Sequence, residues 1–271
     1  MSKSLPYSKI GYLGIGADGC AIDRYYAWNP LVGCSKGCPG CWARQVAGRF
    51  NFCAKCQAFT PHMHPERLDQ PANTRKPGVV LCNFMAEAYD SAVMDGWRVN
   101  MSDAACLAAR HVYVTLTQQY ERWIKLDGQD PRRAPDNHFN GVTIRNQSQM
   151  DAVTAAGVWN LPCNLWINHE PADEPVDWTP AIEAKVKGII IGDDRRRAAA
   201  PLTARAISAA TCQFRRSGLN WYVKQAWVDG QLCKGDGLPF SFRDGARLPW
   251  SAPQAGRLLD GVEHNTREEG N

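Results

Sequence analysis

Three cysteines lie close enough together in the chain to bind one metal group: Cys34, Cys38 and Cys41, in the stretch WNPLVGCSKGCPGC. An odd number of thiols cannot pair off as disulfides, and a structural zinc site generally takes four protein ligands, usually as two separated pairs. Three thiolates on one tight loop are instead typical of a 4Fe–4S cluster with one iron left free of protein ligands. Glycines such as Gly37 and Gly40 allow the backbone to fold closely around such a cluster.

A second group of possible metal ligands follows in FNFCAKCQAFTPHMH: Cys53, Cys56, His62 and His64. The C-x2-C pair and the H-x-H pair would together complete a tetrahedral zinc site that staples an irregular loop. An auxiliary iron–sulfur cluster is an alternative, although it would normally take more thiolates. The alternative without a metal is that Cys53 and Cys56 are free thiols and that His64 has only a capping or packing role. The remaining cysteines lie mostly in apolar segments and are interpreted as small core residues: Cys20, Cys82, Cys106, Cys163, Cys212 and Cys233.

Composition places the chain in the ordinary globular class. It has 271 residues, 44% hydrophobic and 21% charged, with a formal net charge of +4 that permits an anionic substrate without requiring one. No apolar run reaches the roughly 20 residues that span a bilayer, and the N-terminus lacks a signal-peptide pattern. We therefore expect a cytoplasmic protein with no membrane association, in a bacterium or a phage-infected host. In that compartment, eleven cysteines indicate metal or redox chemistry before disulfides.

The elements that must position these residues are short buried strands that alternate with helices. Runs rich in apolar and β-branched residues predict strands near 24–32 and at 79–84, 111–116, 140–145, 163–168, 187–192 and 220–225. The stretches SDAACLAARH, QQYERWIKL, NQSQMDAVTAAG and PLTARAISAATCQFRRSG between them predict helices, the last with Gly218 as its C-cap. Continuous apolar strands separated by helices predict an α/β fold with parallel pairing. Six or seven β/α units suit a barrel or a partial barrel, and we expect a partial TIM-type (β/α)6 barrel.

This barrel sets the predicted domain organisation. Residues 1–23 form an N-terminal extension, 24–230 the partial barrel and 231–271 a C-terminal extension whose last part is a polar tail. The cluster loop, 33–42, and a cysteine/histidine insertion, 51–75, are loops of the barrel. In such barrels the reactive groups follow the carboxyl ends of the strands. The cluster loop follows the first strand, so its predicted position agrees with its chemistry.

The C-x3-C-x2-C spacing is the signature of the radical S-adenosylmethionine (radical SAM) superfamily, and the chain resembles a phage and bacterial radical SAM family related to spore photoproduct lyase. Segments similar to that family occur in order: WNPLVGC (28–34), HPERL (64–68), NFMAE (83–87), LTQQ (116–119), TIRNQ (143–147), NHEP (168–171), IGDD (191–194) and VKQAW (223–227). Three positions depart from the family pattern: Arg145 replaces a glutamate, Asp193 a glycine, and Gly40 an aromatic residue that Trp42 follows instead.

The resemblance implies a 4Fe–4S cluster on Cys34, Cys38 and Cys41 whose fourth iron is chelated by the amino and carboxylate groups of S-adenosylmethionine. An external donor of the flavodoxin or ferredoxin type would supply one electron. Cleavage of the sulfonium then gives a 5′-deoxyadenosyl radical that abstracts a substrate hydrogen.

Strand-end positions suggest cofactor contacts for seven further residues. We assign Asn83 and Glu87 to the methionine end of the cofactor, and Thr143 and Arg145 to its ribose or carboxylate. Asn168 and Glu170 are candidates for polar contacts in the barrel mouth. Trp42 would cover the adenine or the cluster.

The predicted substrate is a pyrimidine, most specifically a thymidine substituent in phage DNA hypermodification, with isomerisation the favoured reaction. The resemblance and the arginines Arg195, Arg196 and Arg197, which follow a predicted strand and would bind phosphate, support a nucleic acid or modified nucleotide. A base in a duplex would have to be flipped out to react. A peptide or small metabolite is the alternative substrate. A non-catalytic electron-transfer or binding protein is a third interpretation, but a pure electron carrier would normally take four cysteines.

Overall fold

The computed structural model describes residues 3–8, 14–49, 53–126, 135–170, 175–192, 201–234, 236 and 238–253. The strands are β1 (Gly14–Ile15), β2 (Ala21–Ile22), β3 (Tyr25–Trp28), β4 (Leu31–Val32), β5 (His62–Met63), β6 (Val79–Cys82), β7 (Val112–Thr117), β8 (His138–Ile144), β9 (Asn164–His169), β10 (Gly188–Gly192), β11 (Trp221–Val228) and β12 (Gln231–Lys234). The helices are α1 (Trp42–Arg49), α2 (Ala54–Ala58), α3 (Asp95–Cys106), α4 (Tyr120–Leu126), α5 (Gln147–Ala155), α6 (Thr179–Glu183), α7 (Pro201–Ser217) and α8 (Phe240–Arg243). The fold is mixed α/β, and most of its strand pairs are parallel.

The chain divides into two compact units. The first spans Asp23–Gln119 and includes residues 3–8; the second spans Tyr120–Ala252 and includes residues 14–22. In the first unit β6 pairs in parallel with both β3 and β7. All four residues of β6 are buried, as expected for a central strand with both faces covered. The strands β4 and β5 form a separate two-stranded antiparallel sheet.

The second unit contains a longer parallel run. The strand β9 pairs with β8 and β10, and β10 pairs with β11, while β12 returns antiparallel to β11. Its helix α7 ends at Ser217, and Gly218 follows with φ of 71°, in the left-handed region. Glycine takes this conformation at little cost, and the amide of Leu219 reaches back to the Phe214 carbonyl at 3.0 Å. The predicted C-cap is confirmed.

The six predicted strands from residue 79 onward are confirmed, each within three residues of its observed bounds, whereas the first predicted strand, near 24–32, is divided into β3 and β4. One predicted helix was misplaced. SDAACLAARH (102–111) was expected to be helical, whereas α3 begins at Asp95 and ends at Cys106. Asp95 lies in the first helical turn, where its negative charge complements the positive end of the helix dipole. The residues after Cys106 form turns that lead into β7.

A helix follows each of six parallel strands in the described ranges, namely β3, β6, β7, β8, β9 and β10. Within each unit the described strands form an open run, so no closed barrel is seen in either. The residues before Asp23 include the small antiparallel pair of β1 and β2. The predicted polar tail, from residue 254 onward, lies outside the described residues. In the described ranges, no helix combines the length and the apolar character needed to cross a membrane.

The packing of β8 on β9 generates a test of the second unit. Gly141 is the register partner of Trp166, and a Cβ at Gly141 would overlap the buried indole ring. We expect Gly141→Ala to lower the free energy of unfolding by about 1–3 kcal/mol, because a packed core does not absorb the extra methyl. Denaturant unfolding measures the change. Gly96→Ala is the control, since Gly96 is exposed in α3 with open space around it, and it should be neutral or slightly stabilising. Equal stability of the two variants would contradict the described packing.

Candidate functional site

The loop that carries Cys34, Cys38 and Cys41 follows the β4 strand and leads directly into α1. Two glycines within it, Gly37 and Gly40, have φ of 64° and 63°, a region that other residues enter at a cost. These turns let the backbone reverse twice within a few residues. Cys34 and Cys41 are half-buried, and Cys38 is exposed. The three thiols therefore lie on one short, sharply folded loop at the surface of the first unit.

Residues that follow β6 hold this loop from behind. The Gly33 amide donates to the Met85 carbonyl at 3.0 Å, and the two segments run parallel at this point. The Asp90 carboxylate accepts from the Ser35 amide at 2.7 Å and from the Ser35 hydroxyl at 2.6 Å. Burial acts to raise the pKa of Asp90, but hydrogen bonds from Ser35 and Ala92 outweigh it, and the pKa is lowered. Asp90 is thus an ionised anchor for the first turn of the cysteine loop.

Cys34 has an environment that favours its protonated form in the absence of a cation. Burial raises the pKa of its thiol to about 11, and the nearby carboxylates of Asp90 and Glu87 act in the same direction. The Lys36 amide points at Cys34 Sγ from 3.4 Å and opposes the shift. A metal ion that binds this sulfur has to displace its proton, so metal binding here releases protons.

Asn83 and Glu87 both lie at the carboxyl end of β6, as predicted, and both are buried. Asn83 has φ of 54°, and its side-chain oxygen accepts from the Leu31 amide at 3.2 Å. Glu87 accepts from the Thr117 hydroxyl at 2.6 Å and the Gln118 amide at 2.9 Å. These two side chains tie the ends of β6 and β7 and the start of the cysteine loop together.

Four further predicted residues lie together at the carboxyl ends of β8 and β9 in the second unit. Thr143 and Asn168 are register partners, and the Thr143 hydroxyl is buried with no hydrogen-bond partner among the described residues. Arg145 donates from Nε and Nη2 to one oxygen of Glu170, both at 2.8 Å. The Asn168 amide lies 3.4 Å from the other Glu170 oxygen. Arg145 is therefore paired with Glu170, which directly follows the neighbouring strand.

The remaining predicted residues are Trp42, the three arginines and the six cysteines outside the two metal sites. Trp42, directly after Cys41, is the first residue of α1 and is 44% exposed. The arginines at 195–197 lie outside the described residues. The interpretation of six cysteines as core residues was largely wrong: only Cys82 is buried, while Cys20, Cys106 and Cys212 are exposed and Cys163 and Cys233 are half-buried.

The second predicted metal site is assembled in the first unit. The candidate ligand atoms of Cys53, Cys56, His62 and His64 all lie within 4.8 Å of one another. His62 Nε2 is 3.3 Å from Cys53 Sγ and 3.4 Å from Cys56 Sγ. His64 Nε2 is 3.2 Å from Cys56 Sγ and 3.0 Å from His62 Nε2. Around a tetrahedral zinc ion with Zn–S of about 2.3 Å and Zn–N of about 2.0–2.1 Å, donor atoms lie roughly 3.3–3.8 Å apart. The four residues thus form a possible metal site of compatible size.

Both imidazoles in this four-residue site are oriented by their other nitrogen. His62 Nδ1 donates to the Thr60 carbonyl at 2.7 Å, and His64 Nδ1 lies 2.9 Å from the Glu66 carboxylate. Each bond fixes the proton on Nδ1 and leaves Nε2 with its lone pair directed at the site, the usual arrangement of metal-binding histidines. Cys56, His62 and His64 are buried, so an ion with four protein ligands here would have no open position for substrate.

Sequence reasoning missed three residues that shape the cysteine loop: Ser35, Asp90 and Thr117. Each acts through a partner far along the chain, 55 residues away for Ser35 and Asp90 and 30 for Thr117 and Glu87. A weak indication was available, since Asp90 and Thr117 both lie at or just after the carboxyl end of a predicted strand.

Comparison with protein families shows that the chain belongs to the DUF5131 family, described as proteins of unknown function, which matches residues 24–267. No curated protein matches significantly, and no solved structure does.

The Asp90 anchor generates a test that needs no metal. In Asp90→Asn the side chain keeps one acceptor oxygen and gains an amide group, so it cannot accept from both Ser35 and Ala92. We expect a decrease of roughly 1–3 kcal/mol in the free energy of unfolding, measured with denaturant. Asp103→Asn, at an exposed position of α3, is the control and should change little. If the two variants were equally stable, Asp90 would not be an anchor.

Proposed function

We propose that this protein is a radical SAM enzyme in which Cys34, Cys38 and Cys41 bind a 4Fe–4S cluster and S-adenosylmethionine binds beside it. The observation that carries the proposal is a three-thiol loop, folded by glycine turns and anchored by Asp90. The next cysteines along the chain, Cys53 and Cys56, are grouped with two histidines and are not free to act as a fourth ligand. A cluster on this loop would keep one iron open to a small molecule.

The residues around the loop fit an iron–sulfur cluster. The Lys36 amide is directed at Cys34 Sγ, which is the contact that stabilises charge on a cluster ligand. Cys34 and Cys41 pack against the buried side chains of Val32, Ala43 and Met85, which would exclude water from one side. When bound, the cluster would supply the electron that cleaves S-adenosylmethionine to a radical able to abstract a substrate hydrogen. The electron would come from a flavodoxin- or ferredoxin-type partner.

The chain's own residues would position the cofactor. Asn83 and Glu87 accept hydrogen bonds from protein donors on two sides, so their part in the proposal is to fix the shape of the site near the methionine end. For the proposed cofactor contacts of Thr143, Arg145, Asn168 and Glu170, the support is their polar chemistry and their position at the carboxyl ends of β8 and β9 within the second unit. Trp42, exposed after the third cysteine, offers an aromatic face.

The proposal includes the finer fold, a partial TIM-type (β/α)6 barrel. The support is the alternation of six parallel strands with six following helices in the described ranges. Such an alternation is characteristic of barrels whose active sites lie at the carboxyl ends of the strands. The cysteine loop follows the first strand of this series.

For the four-residue site of Cys53, Cys56, His62 and His64 we propose zinc. Two thiolates and two imidazoles are the donors that zinc prefers in closed tetrahedral sites. An auxiliary iron–sulfur cluster is less well supported, because donor atoms that all lie within 4.8 Å of one another, four of the pairs at 3.0–3.4 Å, leave room for a single ion.

The proposed substrate is a pyrimidine base, specifically a thymidine substituent in phage DNA, with an isomerisation as the favoured reaction. The resemblance to enzymes related to spore photoproduct lyase and the arginine run at 195–197 support it. A peptide or small metabolite is the second candidate. The moderate net charge of +4 is compatible with both.

Removal of the three thiols tests the cluster. Purified without oxygen, the protein should be brown and contain about four irons and four sulfides per chain. Replacement of Cys34, Cys38 and Cys41 by alanine should abolish the colour and the reductive cleavage of S-adenosylmethionine to 5′-deoxyadenosine, measured by liquid chromatography. Cys106→Ala, which removes an exposed thiol elsewhere in the first unit, should change neither. Retention of cleavage in the triple variant would refute the assignment.

The substrate is tested with native DNA. Reduced enzyme and S-adenosylmethionine are incubated with phage DNA that carries the precursor base, and digested nucleosides are analysed by chromatography and mass spectrometry. An isomerisation shifts retention without changing mass. Neutralisation of Arg195, Arg196 and Arg197 should weaken DNA binding without loss of iron. The slope of log affinity against log salt concentration should become shallower by about 0.9 for each phosphate that is no longer neutralised. Neutralisation of Arg205 and Arg216 is the control. If a peptide or metabolite changes and no nucleoside does, the second candidate is correct.

A further inference from the structure

The four-residue site and the cysteine loop are joined by the short antiparallel pair of strands β4 and β5. The strand β4 ends at Val32, two residues before Cys34, and β5 contains His62. Val32 and His62 are register partners in this strand pair. His62 of the four-residue site therefore lies opposite Val32, which precedes the cysteine loop. Whatever fixes the position of His62 also fixes where the cysteine loop begins.

Further backbone hydrogen bonds connect the two sites on both sides of this strand pair. The Cys34 amide donates to the Phe59 carbonyl at 3.2 Å, and the His64 amide donates to the Pro30 carbonyl at 2.7 Å. Gly33 packs so closely on the backbone of Thr60 that a Cβ at this position would overlap it. The φ of Gly33, 101°, likewise disfavours any other residue. The start of the cysteine loop lies directly on the segment between Cys56 and His62.

One apolar cluster contains thiols of both sites. Its buried members include Val32, Phe59 and Cys56, and Cys34 and Cys41 pack against it at its edge. The Arg44 guanidinium of α1, the helix that follows Cys41, lies 5.1 Å from the centre of the Phe59 ring. Displacement of the segment 53–64 would therefore disturb both ends of the cysteine loop.

The elements that make these contacts are too short to be stable alone. The strands β4 and β5 have two residues each, and α2 has five. Isolated strand pairs and short helices are marginal in water, and small structures without a sizeable core are commonly stabilised by a disulfide or a metal ion. A zinc ion with four ligands from residues 53–64 would close this segment by itself, because binding free energy is available for folding.

We infer that zinc at the four-residue site holds the cysteine loop in its cluster-binding shape, so that cluster binding depends on zinc whereas zinc binding does not depend on the cluster. The cluster half of this inference rests on the proposed function. The dependence runs one way because three of the zinc ligands are buried and their orienting bonds lie within residues 53–66. The cysteine loop, in contrast, borrows its backbone partners from the zinc segment and from the residues after β6.

The test compares two changes at one ligand. His64→Phe removes a donor but keeps a ring, and it should lose most of the zinc. His64→Cys keeps four donors in a Cys3His set, which zinc also accepts, and should retain about one zinc per chain. Iron and sulfide should fall from about four each to near zero in His64→Phe and remain near wild type in His64→Cys. The cluster triple variant should keep about one zinc. Metals are measured by mass spectrometry after anaerobic reconstitution.

A second readout does not need the cluster or correct folding of a variant. Wild-type protein without iron is treated with a zinc chelator, then given zinc again, and trypsin cleavage after Lys36 is followed by mass spectrometry. We expect cleavage to become roughly tenfold faster without zinc and to slow again when zinc returns, because cleavage follows the open population of the loop. Far-UV circular dichroism verifies that the rest of the chain stays folded.

The outcomes separate the two proposals. If wild-type protein never binds iron, yet zinc slows trypsin cleavage after Lys36, the cluster is refuted. The inference that zinc holds the shape of the cysteine loop is then supported. A wild-type protein without zinc, or a zinc-free protein with normal iron and unchanged cleavage, would overturn the inference.

Discussion

A loop with three thiols in eight residues can serve one metal group only if its backbone turns sharply and is held in place from outside. The turns come from glycines in the left-handed region, and a loop so short cannot supply its own stabilising partners. The described structure meets this constraint with neighbours on two sides. Asp90 and Met85 hold the loop from the end of β6, and the segment that contains Phe59 and His62 supports its start. The rest of the first unit serves to bring these neighbours to one edge.

The parallel sheet explains why they meet there. The strands β3, β6 and β7 are adjacent and parallel, so the loops that follow them emerge at the same edge. Glu87 from the second loop can then accept from Thr117 at the end of the third strand, and Asn83 from Leu31 after the first. Polar groups that are 30 to 52 residues apart in the chain are thereby hydrogen-bonded to each other at this edge. Buried polar groups require such partners, and these bonds stiffen the edge where the thiols lie.

Much of this arrangement could be predicted from sequence, for identifiable reasons. Continuous apolar runs such as Val79–Cys82 predict buried strands, and Cys34, Cys38 and Cys41 can be recognised from spacing alone. The gathering of Cys53, Cys56, His62 and His64 was also predicted, because ligand types and spacing restrict how they can meet. The bond between Ser35 and Asp90 could not be predicted, since it depends on the register of strands distant in sequence. The start of α3 was missed because its N-cap, Met94, makes no side-chain capping bond that the sequence could signal, and Cys106 lies at the exposed end of this helix. The pairing of Val32 with His62 depends on strands of only two residues, which have no readable periodicity.

The central claim is that the three-cysteine loop binds a four-iron cluster with one iron available to S-adenosylmethionine. Mössbauer spectroscopy of protein reconstituted with ⁵⁷Fe, before and after addition of S-adenosylmethionine, tests it most directly because it resolves individual irons. We expect one iron in about four to differ from the others and to change its isomer shift when S-adenosylmethionine is added, while the other three remain unchanged. Four irons that stay unaffected by S-adenosylmethionine, or iron held by a single-ion site, would contradict it.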